Sequence, residues 1–144
     1  MPHTDLTWNT TLLYPAPDSP ELEADLGSFE QLAADFRDRY FEKVATLDNT
    51  ALLTSIREYE ALQNRMSKPF CYAHLLFAAD SGNEVYRALS QRCSELGSRL
   101  SQQLLFFDLE LMELDDDRFE SFRSFPGTTG YIHFLPRLWP RPCR

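Results

Sequence analysis

The chain has 144 residues and a net charge of −8, which is enough length for one domain with a sizeable core. Acidic side chains outnumber basic ones by 22 to 14, and an acidic body repels phosphate backbones, so we expect no nucleic-acid binding. No apolar run approaches the roughly eighteen residues of a transmembrane helix, and the N-terminus lacks the pattern of a secretory signal. The odd, widely spaced set Cys71, Cys93 and Cys143 predicts reduced thiols in a cytoplasmic protein.

Residues 1–19 are predicted to form an N-terminal arm, because prolines at 15, 17 and 20 interrupt any regular element. A first helix is expected from about 20 to 45. Asp18 or Ser19 is placed to cap it, and Pro20 suits its first turn. Its apolar residues recur every three or four positions, which is the spacing of one helix face: Leu22, Leu26, Phe29, Leu32, Ala33, Phe36 and Tyr40.

A second helix is expected to begin near Asp48–Thr50 and to stop at Lys68-Pro69, since a residue before proline avoids the α region. Pro69 is then expected to open a third helix through Ala79. Residues 70–79 are apolar on most sides, a pattern typical of a central helix in a bundle.

A turn is predicted at residues 80–83, followed by the longest helix, at roughly 83–114. Gly97 lies inside it, at a cost of up to about 1 kcal/mol relative to alanine. Around residues 104–112 the apolar face broadens, so we expect this end to be buried on more than one side. The added apolar residues are Leu105, Phe106, Leu109 and Met112.

Asp115–Asp117 are expected to end this helix, leaving 20–117 as the helical domain and 118–144 as an irregular aromatic and basic tail. The predicted fold class is all-α, as an antiparallel helical bundle or a long helical hairpin with that proline-rich tail. The predicted core consists of Leu26, Phe29, Phe36, Ile56, Leu75, Leu76, Leu89, Leu96, Leu100, Leu104 and Phe107.

The histidines, His3, His74 and His133, form no His-Glu-x-x-His motif, so a zincin-type zinc site is not expected. Cys71 and His74 are three apart and could share a helix face, but no second ligand pair has metal-like spacing. A small buried thiol and a core histidine are the preferred interpretation.

The sequence also has no Gly-rich phosphate loop, no Gly-x-Ser-x-Gly elbow and no thiol-protease arrangement. Glu58 and Glu60, like Asp115–Asp117, are interpreted as solvated charges rather than acid–base groups. Phe106-Phe107 is interpreted as core. No catalytic, cofactor-binding or metal-binding residue is therefore predicted.

Several segments nevertheless resemble, in order, the N-terminal helical domain of oligoendopeptidase F-type zinc metallopeptidases. The opening Trp8-Asn9-Thr10-Thr11-Leu12-Leu13-Tyr14-Pro15 is similar to that family's start, and Tyr72–Asp80 is similar to one of its helix ends. Leu100–Leu111 is similar as well, and so is Gly130–Leu135 with Arg141-Pro142.

This resemblance implies a domain that lines a deep channel admitting short peptides. In that family the zinc ligands and the general base lie in a C-terminal catalytic domain, so no catalytic residue carries over. The expectation is a chain without enzyme activity in isolation, whose partner is the missing catalytic domain or a second copy of itself. Short peptides would bind only in the complete enzyme, and no membrane partner is expected. A stand-alone helical protein-interaction module is the alternative, and a small enzyme with an unfamiliar site is a third possibility.

Overall fold

The computed structural model describes residues 9–128. Four α-helices follow in chain order: α1 (Pro20–Tyr40), α2 (Asn49–Ala79), α3 (Glu84–Met112) and α4 (Asp116–Arg123). Short 3-10 helices precede and follow α1, at Thr10–Leu12 and Val44–Thr46. Residues 9–128 contain no strand, so the predicted all-α class is confirmed. Trp8, the Gly130–Leu135 segment and the remaining tail lie outside the described residues.

Helix α1 begins as the sequence predicts but ends five residues early. The Ser19 hydroxyl accepts a hydrogen bond from the Leu22 N–H at 3.3 Å, as expected of a helix cap. The helix ends at Tyr40 because Glu42 adopts a left-handed φ of 59°, which a helix cannot continue through. The predicted end near residue 45 is therefore wrong.

Helix α2 runs through Pro69 without a break, so the predicted stop at Lys68-Pro69 is also wrong. A proline inside a helix removes one backbone hydrogen bond and costs about 3 kcal/mol. Here the flanking turns bury large side chains on both sides of Pro69, including Met66 and Tyr72. Burial of such side chains contributes about 1.5–3 kcal/mol each, which offsets the proline. At 31 residues α2 exceeds α3, which has 29, so α3 is not the longest helix.

The predicted turn before α3 is confirmed. The Asn83 side chain accepts hydrogen bonds from the Val85 and Tyr86 N–H groups at 2.9 and 3.2 Å. This interaction caps the first turn of α3.

Helix α4 occupies a segment that was expected to be irregular from residue 118 onward. The Asp115 carboxylate accepts from the Arg118 N–H at 2.7 Å and so caps this helix. Phe119 and Phe122, three residues apart, are both buried. The acidic run therefore starts a new helix as well as following the end of α3. The division into arm, helical domain and tail otherwise stays a prediction.

The described residues fall into two compact units. Unit 1 comprises the described part of Met1–Leu32 together with Leu62–Leu100. Unit 2 comprises Ala33–Ala61 and the described part of Ser101–Arg144. None of the helices in residues 9–128 has both the length and the apolar character that a membrane span requires.

Each unit has its own apolar core. Ten of the eleven predicted core residues are buried, and Leu75 is only partly buried. The largest fully buried side chains of unit 1 are Tyr14, Leu22, Phe29, Tyr72 and Leu100, and those of unit 2 are Phe36, Leu52, Ile56, Phe107, Leu111 and Phe122.

Candidate functional site

A cleft of about 310 Å³ opens on unit 1. Helix α2 contributes three lining residues, and α3 contributes four at spacings of three and four, which place them on one helix face. The lining residues are Phe70, Ala73, His74, Ser90, Cys93, Ser94 and Gly97. We call this the unit 1 cleft.

Small side chains leave this cleft open. A Cβ added to Gly97 would lie 3.7 and 3.8 Å from the Cε2 and Cζ atoms of Phe70. That is ordinary van der Waals contact, so an alanine would fit and would fill the space beside the ring. The Phe70 ring is itself held against Phe29, with ring centroids 6.2 Å apart. The packing around Gly97 therefore does not require a glycine at this position.

Cys93 is the cysteine that lines the cleft, and its side chain is buried. Burial raises the pKa of its thiol, while the nearby Arg92 guanidinium acts in the lowering direction. The Arg92 charge is already engaged, since its Nη1 and Nη2 donate to the two Glu23 carboxylate oxygens at 2.6 and 2.8 Å. A thiol whose pKa is raised is a weak nucleophile near neutral pH.

The cysteine that lines the cleft together with His74 is not the one that the sequence suggested. Cys71 and His74 are both exposed, so the interpretation of a buried thiol and a core histidine is wrong for these two residues. The residues lining the cleft include His74 and Cys93 but not Cys71. No sequence motif connects His74 and Cys93, because the two residues lie on different helices.

No group of three or more His, Cys, Asp or Glu side chains in residues 9–128 is placed to hold a metal ion. His3, His133 and Cys143 lie outside the described residues.

The acidic residues singled out in the sequence have structural partners or face solvent. Glu58 accepts a hydrogen bond from the Tyr40 hydroxyl at 2.6 Å and pairs with Arg39 at 3.0 Å. Glu60 is exposed, and Asp115 caps α4.

The C-terminal part of α3 exposes an apolar surface where burial on more than one side was expected. Leu105, Leu109 and Met112 are 51%, 47% and 46% exposed, and we call these three residues the α3 stripe. Phe106 alone of the broadened face is buried, with its ring 6.0 Å from Phe36 and 5.6 Å from Phe41. The expectation is therefore wrong for the other three residues, because no described element covers them.

Comparison with known proteins gives one distant similarity. A 95-residue stretch is 26% identical to the Group B oligopeptidase PepB of Streptococcus agalactiae serotype III (strain NEM316). The match covers 65% of this chain and 16% of that protein, so the chain spans a small part of its length. No family model and no solved structure matches the chain.

Proposed function

We propose that this chain is a non-catalytic helical part of an oligoendopeptidase F-like zinc metallopeptidase, an enzyme class that cleaves short peptides. The observation that carries the proposal is the 26% identity over 95 residues to an oligopeptidase. Two segments that resemble the family coincide with helices of this fold: Tyr72–Asp80 covers the end of α2 and the residue after it, and Leu100–Leu111 lies within α3.

In the complete enzyme we expect this part to form a section of the substrate-channel wall. The unit 1 cleft has the kind of lining that such a wall needs. The hydroxyls of Ser90 and Ser94 can hydrogen-bond a peptide backbone, and the Phe70 ring offers apolar contact. Peptide cleavage itself is assigned to a catalytic domain that supplies the zinc ligands, in a cytoplasmic enzyme.

The first test assays the purified chain with a fluorogenic short peptide in the presence of zinc. The expected result is no hydrolysis above the buffer blank. Zinc-dependent cleavage that a chelator abolishes would contradict the proposal, because the chain would then contain a site of its own.

The second test asks for a positive result. The 95 residues that match are deleted from the Streptococcus agalactiae PepB, and either the excised segment or this chain is supplied separately. Recovery of peptidase activity with both would support the proposal. Recovery with the PepB segment but not with this chain would contradict it.

A stand-alone helical interaction module is the second candidate, and the α3 stripe is the observation that favours it. A chain that is monomeric by light scattering and binds no hydrophobic-surface dye would count against this candidate.

A further inference from the structure

The α3 stripe lies on the side of its helix away from the unit 2 core. At about 100° per residue, Leu109 and Met112 lie within about 40° of Leu105 around the helix axis. The buried residues of the same segment, Leu104, Phe107 and Leu111, lie about 100–160° away from Leu105. The stripe has the i, i+4, i+7 spacing by which one helix contacts another.

Acidic residues lie on one flank of this stripe and beyond its C-terminal end. Glu113 is exposed and lies about 80° to one side of Leu105 around the helix axis. Asp108, about 60° to the other side, is half-buried and accepts a hydrogen bond from the Tyr59 hydroxyl at 3.5 Å, so it does not belong to this acidic rim. Asp115–Asp117 begin three residues after Met112, at the start of α4. Between residues 105 and 120 the sequence has seven acidic residues and one basic residue, Arg118.

We propose that the α3 stripe is a docking site for an amphipathic helix of another protein, with basic residues flanking the apolar face of that helix. The stripe supplies the apolar centre, and the acidic residues supply a rim that attracts the opposite charge. A second copy of this chain is disfavoured as occupant, since a symmetric pairing would bring two acidic rims together.

This inference goes beyond the peptidase proposal and does not depend on it. Its test measures binding at unit 2 and no hydrolysis, so either proposal can fail without the other.

The probe is a synthetic helical peptide of about 18 residues, or roughly five turns. It carries leucines on one face and lysines on both flanks of that face. A matched peptide carries glutamates in place of the lysines. We expect the lysine peptide to bind the full chain at least about tenfold more tightly by fluorescence anisotropy, and to weaken between about 50 and 300 mM salt as surface charges are screened.

The site is tested with the double variant Leu105→Gln/Leu109→Gln. Its control is Val85→Gln, at an apolar residue of α3 that is 60% exposed and lies in unit 1. The double variant should lose about tenfold or more in affinity for the lysine peptide, while the control should stay within about twofold. Circular dichroism checks that both variants remain folded.

Three outcomes would overturn the proposal. The first is that the unaltered chain binds the lysine and glutamate peptides with equal affinity, or binds neither peptide. This outcome is readable even where the double variant fails to fold. The second is unchanged affinity in a folded double variant. The third is a dimer by sedimentation that Leu109→Gln converts to monomer, which would make the stripe a self-association surface.

Discussion

The two units bury aromatic residues in different ways. In unit 2 one ring, Phe36, contacts Tyr40, Tyr59, Phe106 and Phe107, with centroid separations from 4.9 to 6.0 Å. In unit 1 the rings form two separate pairs, Tyr14–Tyr72 at 5.1 Å and Phe29–Phe70 at 6.2 Å.

The second difference is in the size of the side chains that line the unit 1 cleft. The unit 1 cleft is lined by glycine, alanine and two serines as well as Phe70. Large rings that contact one another fill space to crystal-like density. The comparison teaches that the unit 1 cleft is open where small side chains line it.

The largest expected effect is in the unit 2 ring cluster. Phe107 is fully buried, and its centroid lies 4.9 Å from that of Tyr59 and 5.1 Å from that of Phe36. Phe107→Ala should lower the free energy of unfolding by about 3–5 kcal/mol, because it leaves a cavity among rigid rings. Leu100→Ala in unit 1 should cost roughly 2–5 kcal/mol. Urea denaturation measures both, and a Phe107→Ala loss below about 1 kcal/mol would show that the ring cluster is not a core.

A gain in stability is expected at Pro69 in unit 1. Pro69→Ala restores a backbone donor inside α2 and removes a ring clash. Part of the gain is offset because alanine leaves the unfolded chain freer. The free energy of unfolding should rise by about 1–2 kcal/mol.

The matched control for this change is Pro20→Ala, at the first residue of α1. There the N–H has no helical acceptor, so little change is expected. Equal effects at Pro69 and Pro20 in thermal denaturation would contradict the argument.

A smaller effect is expected in alkali. Burial and the hydrogen bond to Glu58 raise the pKa of Tyr40 to about 12, against about 10 for an unfolded tyrosine. The stabilisation is fully present below pH of about 10, and it is lost as the pH rises toward about 12, because the unfolded state then releases its proton first. Tyr40→Phe should therefore flatten the decline of unfolding free energy between about pH 10 and 12.

Tyr14 in unit 1 offers a parallel, since burial and Asp25 also raise its pKa. Tyr14→Phe should flatten the same decline. An alkaline slope that neither variant changes would show that these two phenols do not set it.

The smallest effect is expected at the surface of unit 1. The Arg92–Glu23 ion pair joins side chains that are 49% and 50% exposed. Exposed pairs contribute about 0.2–1 kcal/mol, so Arg92→Ala should cost no more than that. Urea denaturation at low and at high salt measures the effect. A loss above about 2 kcal/mol would indicate that Arg92 supports the cleft in a way that its ion pair does not explain.

The sequence predicted those features that depend on local chemistry. The Ser19 cap, the turn at residues 80–83 and most of the core followed from residue type and spacing, because a cap, a turn or a helix face is defined within a few residues. Leu75 shows the limit of such reasoning, since it belongs to the predicted core and is only partly buried.

The errors occur where contacts between residues that are far apart in the sequence determine the structure. The local sequence at Pro69 predicts a helix end, yet burial of side chains on both sides of it keeps α2 continuous. The apolar sequence of residues 105–112 predicts deep burial, yet whether another part of the chain covers this segment depends on the rest of the fold. The unit 1 cleft is lined by residues from two helices, so no local sequence motif predicts it.

Glu110 shows what one such distant contact implies for the order of folding. Its carboxylate accepts hydrogen bonds from the backbone N–H groups of Glu42 and Val44, at 3.1 and 3.4 Å. These amides lie just after α1, whereas their acceptor lies more than 60 positions later in the chain. Until α3 forms and reaches them, the two amides have only water as a partner. Their hydrogen-exchange protection should therefore report the arrival of α3, and not the formation of α1.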